Sequence, residues 1–350
     1  MDCLKQEGNY YGSPCLRYFG RVENAGVTVF IEIIGEYESD YVDQLLDGLT
    51  FTLTDVGNTD FPWPWEGTPF QGVNADVMIA THTLQSRWTS LQPELITTET
   101  FNHQVAVVGE NVYILSDGQL LAYRLSGGAL VYERQLSLDS EYQYIFSDRE
   151  GSLWISDFME DLLQLKDGSQ IAAYADTDYV SMHPSGQWGI SWFTNPECQK
   201  LTFRDGILQT ESISFPEVDM ISELIVDESY IYVCGSSASD DAHRVFVYDL
   251  TGKLALTLDD ADGEGLGSIT YVGQSENGFI GLDGNMRSVI LWTADGTYIG
   301  EADDGELFGT DYPWLCGGAT LPDGSFLILL TEDRADQSAM ELTAYILSGF

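Results

Sequence analysis

The chain has 350 residues and a formal charge of −42, from 14 Lys and Arg against 56 Asp and Glu. That length is ample for a large core, and 44% apolar with 12% aromatic residues is too hydrophobic for a disordered chain. The same charge repels phosphate backbones and anionic headgroups, which excludes nucleic acid and acidic membranes as expected partners.

At the N-terminal end, VTVFIEII (27–34) is the longest β-like apolar run, far short of the roughly 20 residues that span a bilayer. No transmembrane segment is expected, and a secretory leader is either absent or already removed. The five cysteines, Cys3, Cys15, Cys198, Cys234 and Cys316, show no CxxC spacing, which argues against structural zinc. Cys3 and Cys15 are near enough in sequence to pair, whereas Cys234 and Cys316 sit in strand-like runs that suit buried thiols. Were residues ahead of Met1 trimmed, Cys3 would stand where a bacterial lipoprotein carries its acylated cysteine. Secreted or lipid-anchored display outside the cytoplasm is therefore favoured, with a cytoplasmic location left open.

Residues 1–92 show no clear repeat. VTVFIEII and LTFTLTD read as strands. FPWPWEGTPF (61–70) alternates Pro and Trp, which favours an extended loop. Its tryptophans, Trp63 and Trp65, either pin that loop to the rest of the protein or contact a ligand or partner. In ADVMIATHTLQSRWTSL (75–91), Val77, Ala80, Leu84, Trp88 and Leu91 share one helical face behind Asn74, so the spacing predicts a capped helix.

From about residue 103 onward a repeat organises the chain. GENVYIL (109–115), REGSLWIS (149–156), PSGQWGIS (184–191), DESYIYVC (227–234), SENGFIGL (275–282) and PDGSFLIL (322–329) each read as a tight turn entering an apolar strand. Their anchors, Val112, Leu153, Trp188, Ile231, Phe279 and Phe326, recur at a mean of about 43 residues, the period of a four-stranded propeller blade. A second hairpin interleaves with the first, with glycine at its turn at Gly128, Gly168, Gly206, Gly252, Gly296 and Gly349, where the connection needs positive φ. Two hairpins per period predict an all-β propeller with six visible blades.

Residues 1–92 are then an irregular segment or an extra, seventh blade, and residues 93–350 the propeller. The sixth copy ends at its own turn, so one outer strand is missing. A ring that leaves no open edge takes that strand from upstream, and Glu94–Thr98 (ELITT) is the expected donor.

FSDREGSLWISD (146–157) is similar to the two-component-regulator propeller repeat, with an acidic residue, a glycine and then Leu-Trp-Ile. VFVYDLTGKLALTL (245–258) resembles the NHL-type six-bladed repeat, whose hydrophobic strand ends in Asp-x-x-Gly. The resemblance implies a propeller and no particular activity.

The chemistry-bearing residues nominate little. His82, His103, His183 and His243 are scattered, and His183 opens a turn. No nucleophile elbow, P-loop or dinucleotide fingerprint is present. SDREGSLW approaches a sialidase Asp-box but sets Asp148 three residues before Gly151 instead of two. Trp154, Trp188, Trp192, Trp292 and Trp314 occupy strand positions suited to packing between blades, or to a sugar-binding platform. In DDADGEG (259–265), Asp259, Asp260, Asp262 and Glu264 crowd carboxylates that bound Ca²⁺ would relieve, although the full EF-hand pattern is missing. EADDGE (301–306) is a weaker cluster of the same kind.

The sequence therefore points to a monomeric, non-enzymatic binding or scaffold module for a protein or carbohydrate ligand, with no cofactor except an admitted Ca²⁺. The alternative is a lactonase-like hydrolase holding a divalent ion in the central channel on carboxylates from several blades. Halophilic adaptation would explain the charge without any partner.

Overall fold

The computed structural model describes residues 3–10, 13–21, 28–34, 72–89, 91, 97–98, 103–116, 118–138, 142–204, 207–309, 313–333 and 340–350. The chain divides into two compact units, Met1–Phe61 and Pro62–Phe350. In the first, Cys3–Tyr10, Ser13–Arg21 and Thr28–Ile34 form a three-stranded antiparallel meander. Its register sets Cys3 opposite Gly20 and Cys15 opposite Gly8, so the two cysteines are not cross-strand partners.

In the second unit each repeat folds as a four-stranded antiparallel meander. These are blade 1 (104–137), blade 2 (144–177), blade 3 (179–214), blade 4 (218–258) and blade 5 (269–303). Blade 6 is built from both ends of the unit: Trp314–Thr320, Phe326–Asp333 and Met340–Ser348 continue through His82–Thr89 to Ala75–Ile79. The first strands of successive blades neighbour one another, and that of blade 6 neighbours that of blade 1, which closes the ring. The protein is a six-bladed β-propeller. Among the described residues the helix is a single turn, Asp304–Phe308, capped by the Asp303 carboxylate on the Glu306 N–H at 2.8 Å. EADDGE is thus partly a helix start.

The core lies between blades. Second strands are covered on both faces by neighbouring sheets, which explains why Ser152–Ser156 and Gly278–Asp283 are buried along their whole length. The outer strand Ile207–Ser214 is largely exposed and correspondingly polar. Between blades 3 and 4, Ile190, Phe215, Leu224 and Val233 pack as one cluster, each fully buried apolar side chain contributing about 1.5–3 kcal/mol. The expected glycine turns are left-handed, with Gly252 at φ 85° and Gly296 at φ 86°, a region that a Cβ disfavours. Gly206 lies outside the described residues.

The ring closes with N-terminal chain as expected, but two readings need correction. Glu94–Thr98 is not the main donor: of this segment the described residues are Thr97 and Thr98, which pair with Glu341 and Met340. The outer strand is His82–Thr89, in register from Ala344 opposite Thr89 to Ser348 opposite Gln85, because the gap needs a full-length alternating strand. Nor is 75–91 a helix; Ala75–Ile79 and His82–Thr89 form a hairpin, with Ala80 at φ 53° in its turn. Its apolar spacing fits a helical face, yet ladder bonds to Met340–Ser348 and its β-branched residues decide the outcome. Asn74, expected as a cap, accepts the Trp88 backbone N–H at 2.9 Å. Trp88 Nε1 donates to Thr343 Oγ1 at 3.0 Å, fastening the latch.

Candidate functional site

Antiparallel register sets Tyr144 opposite Ser156 and Tyr179 opposite Trp192. The beginnings of the first strands therefore share one mouth of the ring, here called upper, with the turns that follow the second strands. The ends of the first strands, with the turns that follow them, make the lower mouth.

At the upper mouth, blades 2 and 3 present a cluster of rings. Phe158 and Phe193 stack with centroids 4.3 Å apart, and each is 38% exposed. Tyr179 lies 6.0 Å from Phe158 and 5.7 Å from Phe193. Further in, Tyr144 is 4.7 Å from Tyr179, and Trp192 is 5.5 Å from Tyr144 and 5.3 Å from Tyr179. Trp192 is 3% exposed, and its Nε1–H has no hydrogen-bond acceptor among the described residues. Met159, in the turn beside Phe158, and Met220, near the start of the blade 4 first strand, are exposed as well.

Behind the rings lies a buried acid. Glu223, on the first strand of blade 4, accepts the Leu224 N–H at 3.1 Å and a hydrogen bond from the Tyr144 hydroxyl. Burial pushes its carboxyl up to about 8, only partly offset by those two donors. Glu223 is therefore mostly protonated at neutral pH. Tyr179 is also pushed up, by burial first and then by the carboxyls of Asp157, Glu223 and Asp178. Blades 2 and 4 and the link between blades 2 and 3 thus bring acidic groups to bear on one tyrosine hydroxyl.

The lower mouth uses its acids differently. Asp148 accepts Glu150 N–H at 3.0 Å, Ser152 N–H at 2.8 Å and Trp154 Nε1–H at 3.0 Å, so the Asp-box-like segment is a turn built around one carboxylate. Asp227 accepts Ser229 and Tyr230 N–H, each at 2.7 Å, and the Tyr232 hydroxyl at 2.7 Å. In blade 3, His183 takes this place, with Nδ1 3.1 Å from the Ser185 N–H. It stacks on Trp188 at 4.6 Å, and burial lowers its pKa. Arg149 of blade 2 pairs with Glu228 of blade 4 on the same mouth.

Other sequence-nominated residues fall in several places. Trp63 and Trp65 lie outside the described residues. Asp259 accepts Arg244 Nε at 2.5 Å, Asp260 accepts the Glu264 N–H at 3.0 Å, and Arg244 also donates to Asp240 at 2.6 Å and to the Gly263 carbonyl at 2.9 Å. A guanidinium thus supplies the positive charge there, while Asp262 and Glu264 are exposed. Among the described residues, no three His, Cys, Asp or Glu groups come together closely enough to hold a metal ion. The first strands carry acids only in blade 4, at Asp219 and Glu223. That donor set does not fit an ion held by first-strand carboxylates from several blades.

Trp154, Trp192 and Trp292 are buried between strands, and Trp188 and Trp314 partly so. Cys198, Cys234 and Cys316 are free and buried, and burial pushes Cys198 and Cys316 up to about 12, which leaves them unreactive thiols. Sequence reasoning passed over Glu223, Phe158 and Phe193. The available signal for Glu223 was an acid set directly before the apolar run Leu-Ile-Val at the end of VDMISELIV. For the phenylalanines there was only their place just after an apolar strand.

No protein-family model matches the chain, and no curated protein matches it. The likeness to NHL-type and two-component-regulator repeats therefore rests on the residues quoted for it. Among solved structures, the chain is similar to one described as the crystal structure of the WD40 beta propeller domain of Doa1. The two share 12% identity at a TM-score of 0.45, over 80% of this chain and 98% of that one. The six-bladed architecture stands on the sheet topology itself. Among the described residues no helix is long and apolar enough to cross a membrane.

Proposed function

We propose that the chain is a non-enzymatic binding module that docks a partner on the upper mouth over blades 2 to 4. The observation that carries this reading is the stacked, solvent-facing pair Phe158 and Phe193, with Met159 and Met220 exposed on the same mouth. Water disfavours such apolar area, and contiguous exposed patches mark interaction surfaces. The rest of the repeat is accounted for as structure: its second strands fill the core, and its recurring acids hold turns.

Selection of a displayed random-peptide library on the immobilised full chain tests the proposal. Peptides dependent on the upper mouth should lose about tenfold or more in affinity for the F158A/F193A double variant, as interface aromatics typically do. Selected peptides that bind this variant as well as the parent, or turnover of a small substrate by the purified chain, would refute it. Display outside the cytoplasm belongs to the same reading and is tested by asking which compartment of fractionated native cells holds the chain.

A further inference from the structure

Resting on that docking face, we propose that the upper mouth takes a lysine or arginine side chain from a basic, extended segment of a partner protein. The cation sits on the ring faces of Tyr179 and Phe158, among the carboxyls of Asp157, Asp178 and Glu223.

Three observations converge on this ligand class. Ring faces attract cations, the more so when water is partly excluded, and here two rings are open while Tyr144 and Trp192 close the back of the cluster. The charged groups acting on the Tyr179 hydroxyl are all carboxyls, from blade 2, blade 4 and the link between blades 2 and 3. A chain of −42 net charge draws basic segments by long-range attraction. The aliphatic stem of lysine or arginine also packs on apolar surface such as Phe193 and Met159 while its head stays charged, whereas a neutral sugar gains nothing from the acidic field.

Glu223 couples this binding to protons. The titratable groups coupled to it are Tyr144 of blade 2, Tyr179 of blade 3 and Cys234 on the adjoining strand of blade 4, while Asp157 in the blade 2 turn and Asp178 just ahead of blade 3 act on the same tyrosines. Each is neutral or acidic, so the incoming cation is the charge that favours an ionised Glu223. Binding then expels the proton that burial holds there, and affinity rises with pH up to the free-state value of about 8.

The test is fluorescence anisotropy of a short labelled Lys-Gly-Ser repeat peptide with the full chain at physiological ionic strength. Affinity should rise about five- to tenfold from about pH 6 to about pH 8.5, a part of the tenfold per unit that full coupling gives. Glu223→Gln should flatten that rise, and F158A/F193A should weaken binding about tenfold at the upper pH. Glu228→Gln on the lower mouth should leave both unchanged. Should the glutamine variant fail to fold, Tyr144→Phe keeps the acid but removes its hydroxyl donor, and the rise should shift to higher pH.

An undiminished pH rise in Glu223→Gln would overturn the proposal. So would equal binding by F158A/F193A, which means attraction to the acidic surface alone, or equal competition by butylammonium or Ca²⁺, which means a small-cation site. Library peptides that are neutral or acidic yet still need Phe158 and Phe193 would sink the cation while leaving the docking face standing.

Discussion

Two acids on opposite mouths of this propeller, Asp148 below and Glu223 above, are used in opposite ways, and surroundings rather than the mouth decide which, since Asp283 on the upper mouth also accepts four backbone N–H groups. At the lower mouth Asp148 and Asp227 each accept several donors within their own turns, and Asp249, Asp295 and Asp323 have lowered pKa values because nearby hydroxyls and N–H groups bond them. At the upper mouth Glu223 is held away from water with fewer donors than it needs, and its pKa is raised. An acidic sequence is therefore not one physical feature. The aspartates bonded within their turns are scaffold, whereas Glu223 is destabilised in its charged form, as acids at functional sites often are.

Opening the ring should erase the contrast altogether. Leu84 is fully buried in the closing strand, so Leu84→Asp adds an unpaired buried charge and should cost more than about 4 kcal/mol. Thermal denaturation and gel filtration should show an unfolded or aggregated chain; a cooperative, monomeric variant would mean that the ring does not depend on this latch.

Within an intact ring, Asp148→Ala should be the next most costly change. It strands the buried Ser152 N–H and Trp154 indole, at about 2–6 kcal/mol from penalties of roughly 1–3 kcal/mol for each, while water can take the partly exposed Glu150 N–H. Urea denaturation measures it, and a loss within about 0.5 kcal/mol would remove the structural role assigned to the turn acids.

The pH dependence should carry opposite signs. Lowered folded-state pKa values give stability that is present above the unfolded value near 3.8 and lost as pH falls through the lower folded values. For Glu223 the unfolded chain ionises near 4.5 while the folded chain keeps its proton to about 8. Stability therefore falls as pH rises across that window and then levels. The cost above about pH 8 is on the order of a few kcal/mol. Relative to the parent, Glu223→Gln should gain Tm progressively from about pH 5 to about pH 8; a constant difference would show that Glu223 titrates normally.

Surface changes should be the smallest. Arg149→Ala breaks an exposed ion pair and should cost at most about 1 kcal/mol. F158A/F193A removes rings that are already partly wet, so its effect on Tm should be small beside its effect on binding. A large loss of stability in the double variant would make those rings structural.

Much of the fold was legible because the propeller is written locally. Turn glycines, Asp-led turns and apolar second strands recur at a period near 43 residues, and each copy folds against copies of itself. The closing strand was harder: 75–91 satisfies a helical spacing as well as a strand one, and only the open edge at Met340–Ser348 decided between them. Phe158, Phe193 and Glu223 carry no local signature. A phenylalanine after an apolar strand and an acid within one become a site only when separate blades set them side by side.

The sequence by itself determined the repeat, the four-stranded blade and the need for a borrowed strand, because hydrophobic alternation and turn chemistry act between residues close in the chain. Tertiary structure alone decided which segment closes the ring and which acids are neutralised by turns. It also decided which acid is buried beside aromatic rings, since burial and electrostatic fields are set by neighbours tens of residues away.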